Sequence, residues 1–359
     1  MIIIKPNCQY LQEEDGKEIE HIVKCAGICY GNDPFKEPEV PIDYLKIYNN
    51  LITSHHISPL RHSTLYYIIP EEAIRTDINL DLNPAYCNRT YDFDTKRIFV
   101  TINGQWYEDN YNLFNLFYSK YKVSKEKYIE EIKLLKNPDT KEEAFATLRY
   151  TFVLTTQIST SRELNRVSPN NICEQSTRYC KLTLPKFGED VAICQPYWLN
   201  ICTESVIING ANSGKYTMHL PHDSISISKY NDSYFVKTPT GKTLELGSEY
   251  SIEVNEVNNI NGISLHYDVN LAEKYIKNCC DAASLYREAL IMGIYPQDAR
   301  GLLPLDTATK VVYTYSYKEW QHIIDLRFHG TTGKPHPNAK EIIGLLIPIL
   351  EQAHNSNKK

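Results

Sequence analysis

The sequence lacks any apolar run near the roughly 18 residues that a membrane-spanning helix needs, so no span is expected. It lacks a C-x-x-C pair, so a structural zinc site is not expected, nor any other resident metal. The ten cysteines are scattered, with Cys25 and Cys29 four apart and Cys279 beside Cys280. In a chain of 359 residues that is no disulfide scaffold, and reduced, buried thiols in the cytoplasm are the expected state. Excess positive charge is missing too. The formal net charge is −6, so no nucleic-acid surface is expected unless a basic groove is local. The opening "MIIIKPNCQYL" turns polar too soon for a signal peptide and reads as a strand. No internal repeat is visible.

What is present suits a globular fold. Hydrophobic residues make up 42% and charged residues 23%, and the length fits one large domain or two ordinary ones. The 27 tyrosines, many in polar stretches, carry no evident mechanistic role. Tyr44, Ile47, Tyr48, Leu51 and Ile52 have helical spacing over residues 43–54. "STLYYIIP" reads as a strand stopped by proline, and "KRIFVTINGQWY" as a hairpin with Asn103-Gly104 at its turn. "SKEKYIEEIKLLK" is a charged amphipathic helix with a solvated face, and "LRYTFVLTTQ" a β-branched strand. A short helix follows, with Thr160 and Glu163 in a capping-box pattern and Pro169 ending it near Val167. Helix returns from about residue 270 to Gly293, and a last helix over about 338–352 precedes a frayed tail, "NSNKK".

Residues 201–266 differ from their surroundings. They are rich in Ser, Asn, Gly and Thr, with alternating patches such as "SISISKY", "SYFVKT" and "KTLELG" around a Thr238-Pro239-Thr240-Gly241 turn signal. A β-rich insertion is expected here, interrupting a main unit of residues 1–200 and 267–359. The expected class is α/β in the mixed, α+β sense: an antiparallel sheet flanked by helices.

Four constellations carry candidate chemistry. Arg166, Ser176 and Arg178 lie in "ELNRVSPNNICEQSTRYCKL", around a proline-broken loop. Arginine offers a planar fork of donors that matches phosphate, and a serine hydroxyl with freed backbone N–H groups completes a cradle. Equally, Arg166 could pair with Glu163 on the helix surface and Arg178 lie idle there. Arg300, in "PQDARGLLPLDTATK", is a second anion-binding candidate or a salt-bridge partner of Asp298 or Asp306. Arg327 follows Ile323, Ile324 and Leu326 in "WQHIIDLRFHGTTGKPHP", so partial burial is expected, and a buried arginine needs a partner. "SHHISPLRH" holds three histidines in nine residues, open to a metal reading or to a turn presenting His56 and Ser58 to a phosphate.

In "EQSTRYC", Ser176 follows Arg166 by ten residues, and this resembles the signature of the flavin-dependent thymidylate synthases: Arg-His-Arg, seven residues, then Ser-x-Arg-Tyr. "HISPLRHSTLYYII", "ARGLLP", "DLRFHGTTGKPHPNAKEI" and "AGICYG" resemble further family segments in the same order, over most of residues 1–195 and 268–352. The resemblance implies homotetramers with active sites shared between subunits. It implies reductive methylation of deoxyuridylate (dUMP) to thymidylate, with 5,10-methylenetetrahydrofolate as carbon donor and NADPH reducing FAD. By motif position, Ser176, Arg178 and Arg300 would hold the nucleotide phosphate and sugar, Arg166 and Arg327 the pyrimidine, and Glu163 the nucleotide. Arg327, Arg166 and Ser176 would be the catalytic set. His56, Ser58, Val167, Ser168, Glu174, Ser316, Lys318 and His322 would lie at FAD. Val167 and Ser168 replace the family's His and second Arg, and Ser316-Tyr-Lys318 its Asn-x-Arg. The nucleotide side is therefore kept and the flavin side eroded. Two other outcomes stay open on the sequence: a hydroxymethylated nucleotide product, and a nucleotide-binding homologue without turnover.

Overall fold

The computed structural model describes the chain except residues 75–85, 168–170, 185–189, 200, 211–213, 221–225, 231–232, 238–242, 247–249 and 262–268, and excludes the side chains of 113–114 and 201–274. The fold is a mixed α/β architecture whose two largest sheets are antiparallel and flanked by helices. The central sheet has four strands in the order Asn7–Tyr10, Arg149–Gln157, Ala308–Ser316, Ile172–Glu174. Its middle pair runs from Ala308 opposite Gln157 to Ser316 opposite Arg149 without a register break.

Side chains alternate across this pair, as strand geometry requires. Tyr150, Phe152, Leu154, Val311, Tyr313 and Tyr315 face the main core, together with Trp320, Ile342, Ile343 and Leu346 from the helices Tyr317–Ile324 and Pro337–Lys358. Val153 and Val312 face the other way, onto Cys25 and Ile28 of the helix Glu18–Ile28. Many of the tyrosines without an evident role are core, while Tyr30, Tyr111, Tyr197 and Tyr295 are exposed. Tyr67, Tyr118, Tyr128, Tyr150, Tyr286, Tyr313 and Tyr315 are among the largest fully buried side chains. Burial of a phenol calls for a polar partner, and Tyr128 meets Thr147 Oγ1 at 3.0 Å while Tyr150 meets His354 Nδ1 at 2.9 Å.

The second sheet orders Cys87–Asp92, Arg97–Asn103, Thr64–Pro70 and Lys122–Val123. One face, with Tyr66 and Phe99, joins the main core, and the other, with Leu65, Tyr67, Ile69, Val100 and Ile102, packs on Trp106 and Tyr118. A short parallel pair joins Ile2–Ile4 to Ala192–Cys194. Residues 201–261 hold six strands in two three-stranded antiparallel sheets, and Ile201 pairs with Asn261. The Thr238–Gly241 turn signal lies outside the described residues.

Several local expectations are corrected. Asn103-Gly104 is no hairpin turn: Asn103 caps a helix, Gly104–Asp109, its side chain accepting from the Trp106 N–H. Thr160 and Glu163 form no capping box, because the helix begins earlier, at Ile158. Thr160 is buried inside it and donates to Gln157 Oε1 at 2.8 Å. The helix ends at Leu164, with Pro169 outside the described residues. The charged helix, Lys125–Lys133, is solvated on one face and buries Tyr128, Ile129 and Ile132 on the other. The tail is not frayed: helix continues to Lys358, whose Nζ pairs with Glu142, and Asn357 donates to the Tyr150 hydroxyl at 3.0 Å.

Candidate functional site

The helix Ile158–Leu164 leaves the end of the central strand, and its C-terminus gathers the first group of candidates. Such an end exposes carbonyls with no partner inside the helix. The Glu163 carbonyl accepts from the backbone N–H of Arg166 at 3.3 Å and from Arg327 Nη2 at 3.0 Å. Arg327 itself lies on a five-residue wide turn, Asp325–His329, which follows the helix Tyr317–Ile324 and is closed by Gly330 at φ 74°. Its Nε is buried and has no hydrogen-bond partner among the described residues. A buried guanidinium donor left unpaired is costly to the fold, so this N–H is one that a ligand acceptor would satisfy. Arg166 is exposed, and among the described residues no ion pair joins it to Glu163.

The second group is a loop. Ser176 N–H donates to the Cys29 carbonyl at 3.0 Å, which ties the loop to the end of the helix Glu18–Ile28. Ser176 Oγ accepts from the N–H groups of Arg178 and Tyr179 at 3.2 and 3.3 Å, capping the turn from within. Arg178 is exposed, and its Nε reaches Gln297 Oε1 at 3.3 Å. Arg300 Nη1 reaches Thr177 Oγ1 at 3.5 Å, and no salt bridge to Asp298 or Asp306 forms. Asp306 is taken instead by the Tyr275 hydroxyl at 2.7 Å. Ser176, Arg178 and Arg300 therefore share one surface, as an anion site requires. The two groups are linked through Glu174, whose Oε1 accepts from Ser161 Oγ at 2.7 Å and Thr309 Oγ1 at 3.2 Å.

The residues expected at the flavin divide. His56, Ser58, Lys318 and His322 are exposed, and Lys318 borders a polar cleft of about 430 Å³ with Asn88, Arg89, Glu142 and Glu143. Glu142 and Glu143 set two carboxylates beside Lys318 in that cleft, and His56, Ser58 and His322 are not among its lining residues. Three others serve the fold. Val167 packs against the main core. Ser316 is buried in a capping box, its N–H and hydroxyl both meeting Glu319 Oε2. Glu174 is held by the two hydroxyls just named. Ser168 lies outside the described residues. Of the three clustered histidines, His55 and His56 are exposed, whereas His62 is buried with Nδ1 2.8 Å from Thr314 Oγ1.

Sequence reasoning missed Gln297, Thr177 and the Cys29 carbonyl. Each lies in or beside a segment already singled out: Gln297 three residues before Arg300, Thr177 between Ser176 and Arg178, and Cys29 within "AGICYG". Cys29 also touches Cys173, whose thiol holds the Cys29 thiol below its ordinary range, while the contact and burial push Cys173 up. All described cysteines are free.

The family profile described as "Thymidylate synthase complementing protein" matches residues 111–354. Two relatives, the flavin-dependent thymidylate synthases of Pyrococcus furiosus and Pyrococcus abyssi, are 36% and 38% identical over 64 residues. That stretch is 18% of this chain and 26% of each relative, so the chain spans about a quarter of the length of the curated relatives it matches. Among solved structures, a UMP/dUMP methylase, PolB from Streptomyces cacaoi, bound with 5-Br dUMP or with 5-Br UMP, aligns at TM-score 0.39 and 12% identity. With 5-Br dUMP bound, the alignment covers 99% of this chain and 96% of that one.

Proposed function

The chain belongs to the thymidylate synthase complementing protein family, and on that premise we propose that it methylates C5 of deoxyuridylate to give thymidylate. The carbon donor is 5,10-methylenetetrahydrofolate, and the reductant is NADPH acting through FAD. Arg327 is the observation that carries this reading: its Nε–H is buried and unpaired among the described residues, while Nη2 is fixed on Glu163.

Uracil C5 is a weak nucleophile, and attack at the ring builds negative charge on the carbonyl oxygens. A guanidinium already held in place stabilises that charge without reorganising at the moment of reaction. Arg327 has that property; Arg166 meets the same carbonyl through its backbone N–H, and its own guanidinium is exposed. Ser176, Arg178 and Arg300 hold the phosphate and sugar by charge-assisted hydrogen bonds, and Glu163 orients the base. When bound, FAD supplies the hydride, so this chain needs no cysteine nucleophile. His56, Ser58, Lys318 and His322 are the side chains free to hold it. Val167, Ser316 and Glu174 are committed to the fold, which makes the flavin's hold weak. The active enzyme is a cytoplasmic homotetramer with the site completed across subunits, and residues 201–266 are an insertion into the family's core.

Incubation with 5-tritiated deoxyuridylate tests the reading. Tritium release that depends on methylenetetrahydrofolate, FAD and NADPH supports it. Nucleotide binding with no release under full cofactor saturation contradicts it.

A further inference from the structure

We propose that Gly344 and Phe328 are positioning residues for Arg327: the bare backbone at Gly344 seats the Phe328 ring, and that seat fixes the neighbouring guanidinium. The inference rests on the role given to Arg327 above.

Glycine inside a helix is disfavoured relative to alanine unless space demands it. Gly344 lies within the helix Pro337–Lys358, and a Cβ there would come within 3.2 Å of Phe328 Cε2 and 3.7 Å of Cδ2. The ring is partly buried and would have to give by a few tenths of an ångström. It packs against the main core, and Lys340 Nζ lies 5.2 Å from its centroid. The turn that bears it cannot lengthen at its end. The Gly330 and Thr331 N–H groups both close on the Asp325 carbonyl, at 2.8 and 3.1 Å. Gly330 is itself crowded: a Cβ there would meet Gly333 O at 2.7 Å and Pro335 Cδ at 2.8 Å. A wide turn inside a helical segment is an unusual device, often found at functional sites. Here it places Phe328 inward and Arg327 on the Glu163 carbonyl, one residue apart. A push on the ring is therefore transmitted to Arg327.

The test uses the full chain in four forms: unaltered, Gly344→Ala, Phe328→Leu and both together. Three quantities are read: tritium release from 5-tritiated deoxyuridylate, Tm, and the NMR resonance of the Arg327 Nε–H, assigned by its loss in Arg327→Lys. Gly344→Ala should keep or raise Tm, since alanine suits a helix, yet shift the Nε–H resonance. It should slow turnover about tenfold, scaled from the roughly hundredfold effect of a 1 Å misplacement, and leave deoxyuridylate affinity nearly unchanged. Phe328→Leu, which loosens the seat, should also shift the resonance. The double variant, smaller ring position against larger helix position, should restore both resonance and turnover. An unmoved resonance in Gly344→Ala, or in Phe328→Leu should the alanine variant not fold, overturns the proposal, and so does a double variant that restores nothing. If the unaltered chain releases no tritium, the functional reading fails, while the resonance and its rescue still decide the positioning role.

Discussion

At Ser176 the hydroxyl oxygen accepts from two backbone N–H groups at 3.2 and 3.3 Å, and its hydrogen has no acceptor among the described residues. The residue therefore shapes the loop and still offers a donor. Arg178 and Arg300 beside it have only weak side-chain partners, at 3.3 and 3.5 Å. A charge-assisted contact contributes about 1.5–3 kcal/mol, so Arg178→Ala should weaken deoxyuridylate binding roughly ten- to a hundredfold. Unchanged affinity by calorimetry would remove Arg178 from the site. Arg327 should behave differently, because its charge meets charge that develops only during reaction. Arg327→Ala should cost on the order of a hundredfold in turnover. Full tritium release by that variant would end its assignment. Arg166, Ser176 and Arg178 stand out in the sequence through the spacing of one signature, Arg300 and Arg327 through two further segments that resemble the family's, and their roles are part of the proposal. Gln297 and Thr177 do not stand out in this way. Their contacts with Arg178 and Arg300 join segments more than a hundred residues apart, and no local pattern encodes that.

Elements were legible where periodicity was strong, as in the alternating strand Arg149–Gln157, whose two faces enter different cores. They were misread where one dipeptide serves two purposes. Asn-Gly favours a hairpin turn, yet Gly104 is needed because a Cβ there would come within 2.7 Å of the Leu60 carbonyl oxygen. Asn103, fully buried, uses its side chain as the cap. Asn103→Ala should lower stability by about 1–2 kcal/mol, as loss of a cap does, seen as a lower urea midpoint. A midpoint equal to that of the unaltered protein would show the cap to be idle. The strands of residues 201–261 are a second element-scale case. Ile201 and Asn261 are direct partners, so the first and last strands of this segment pair. Replacing residues 201–266 by a short Gly/Ser linker should leave a folded core, since closing so short a gap costs little chain entropy. An insoluble product would make the segment part of the core or of a subunit contact.

For the whole molecule, acid stability follows from buried imidazoles. Burial, aided by Lys125, Arg149 and Lys24, pulls His21 down to about 3. Burial, followed by the nearby Lys358, pulls His354 down to about 4. His62 is held well below its ordinary range, first by burial and then by His21 and Arg149. These groups are neutral in the folded protein and take up protons on unfolding below about pH 6.5, so their support is complete above that value and is lost as pH falls. Glu13 opposes them. Burial raises it to about 7, so its folded form keeps a proton that the unfolded chain has released, and its contribution fades as pH rises through 7. Glu341, which burial also raises, adds to Glu13, and three imidazoles against two carboxyls give a net loss of stability between pH 6.5 and 5. A urea midpoint at pH 5 equal to or above that at pH 7 would contradict this balance. The central claim concerns the proposed chemistry, and the mass of the product formed from deoxyuridylate tests it most directly. With methylenetetrahydrofolate, FAD and NADPH in excess, the account predicts thymidylate. A 5-hydroxymethyl nucleotide, or deoxyuridylate recovered unchanged from a protein that binds it, would contradict the account.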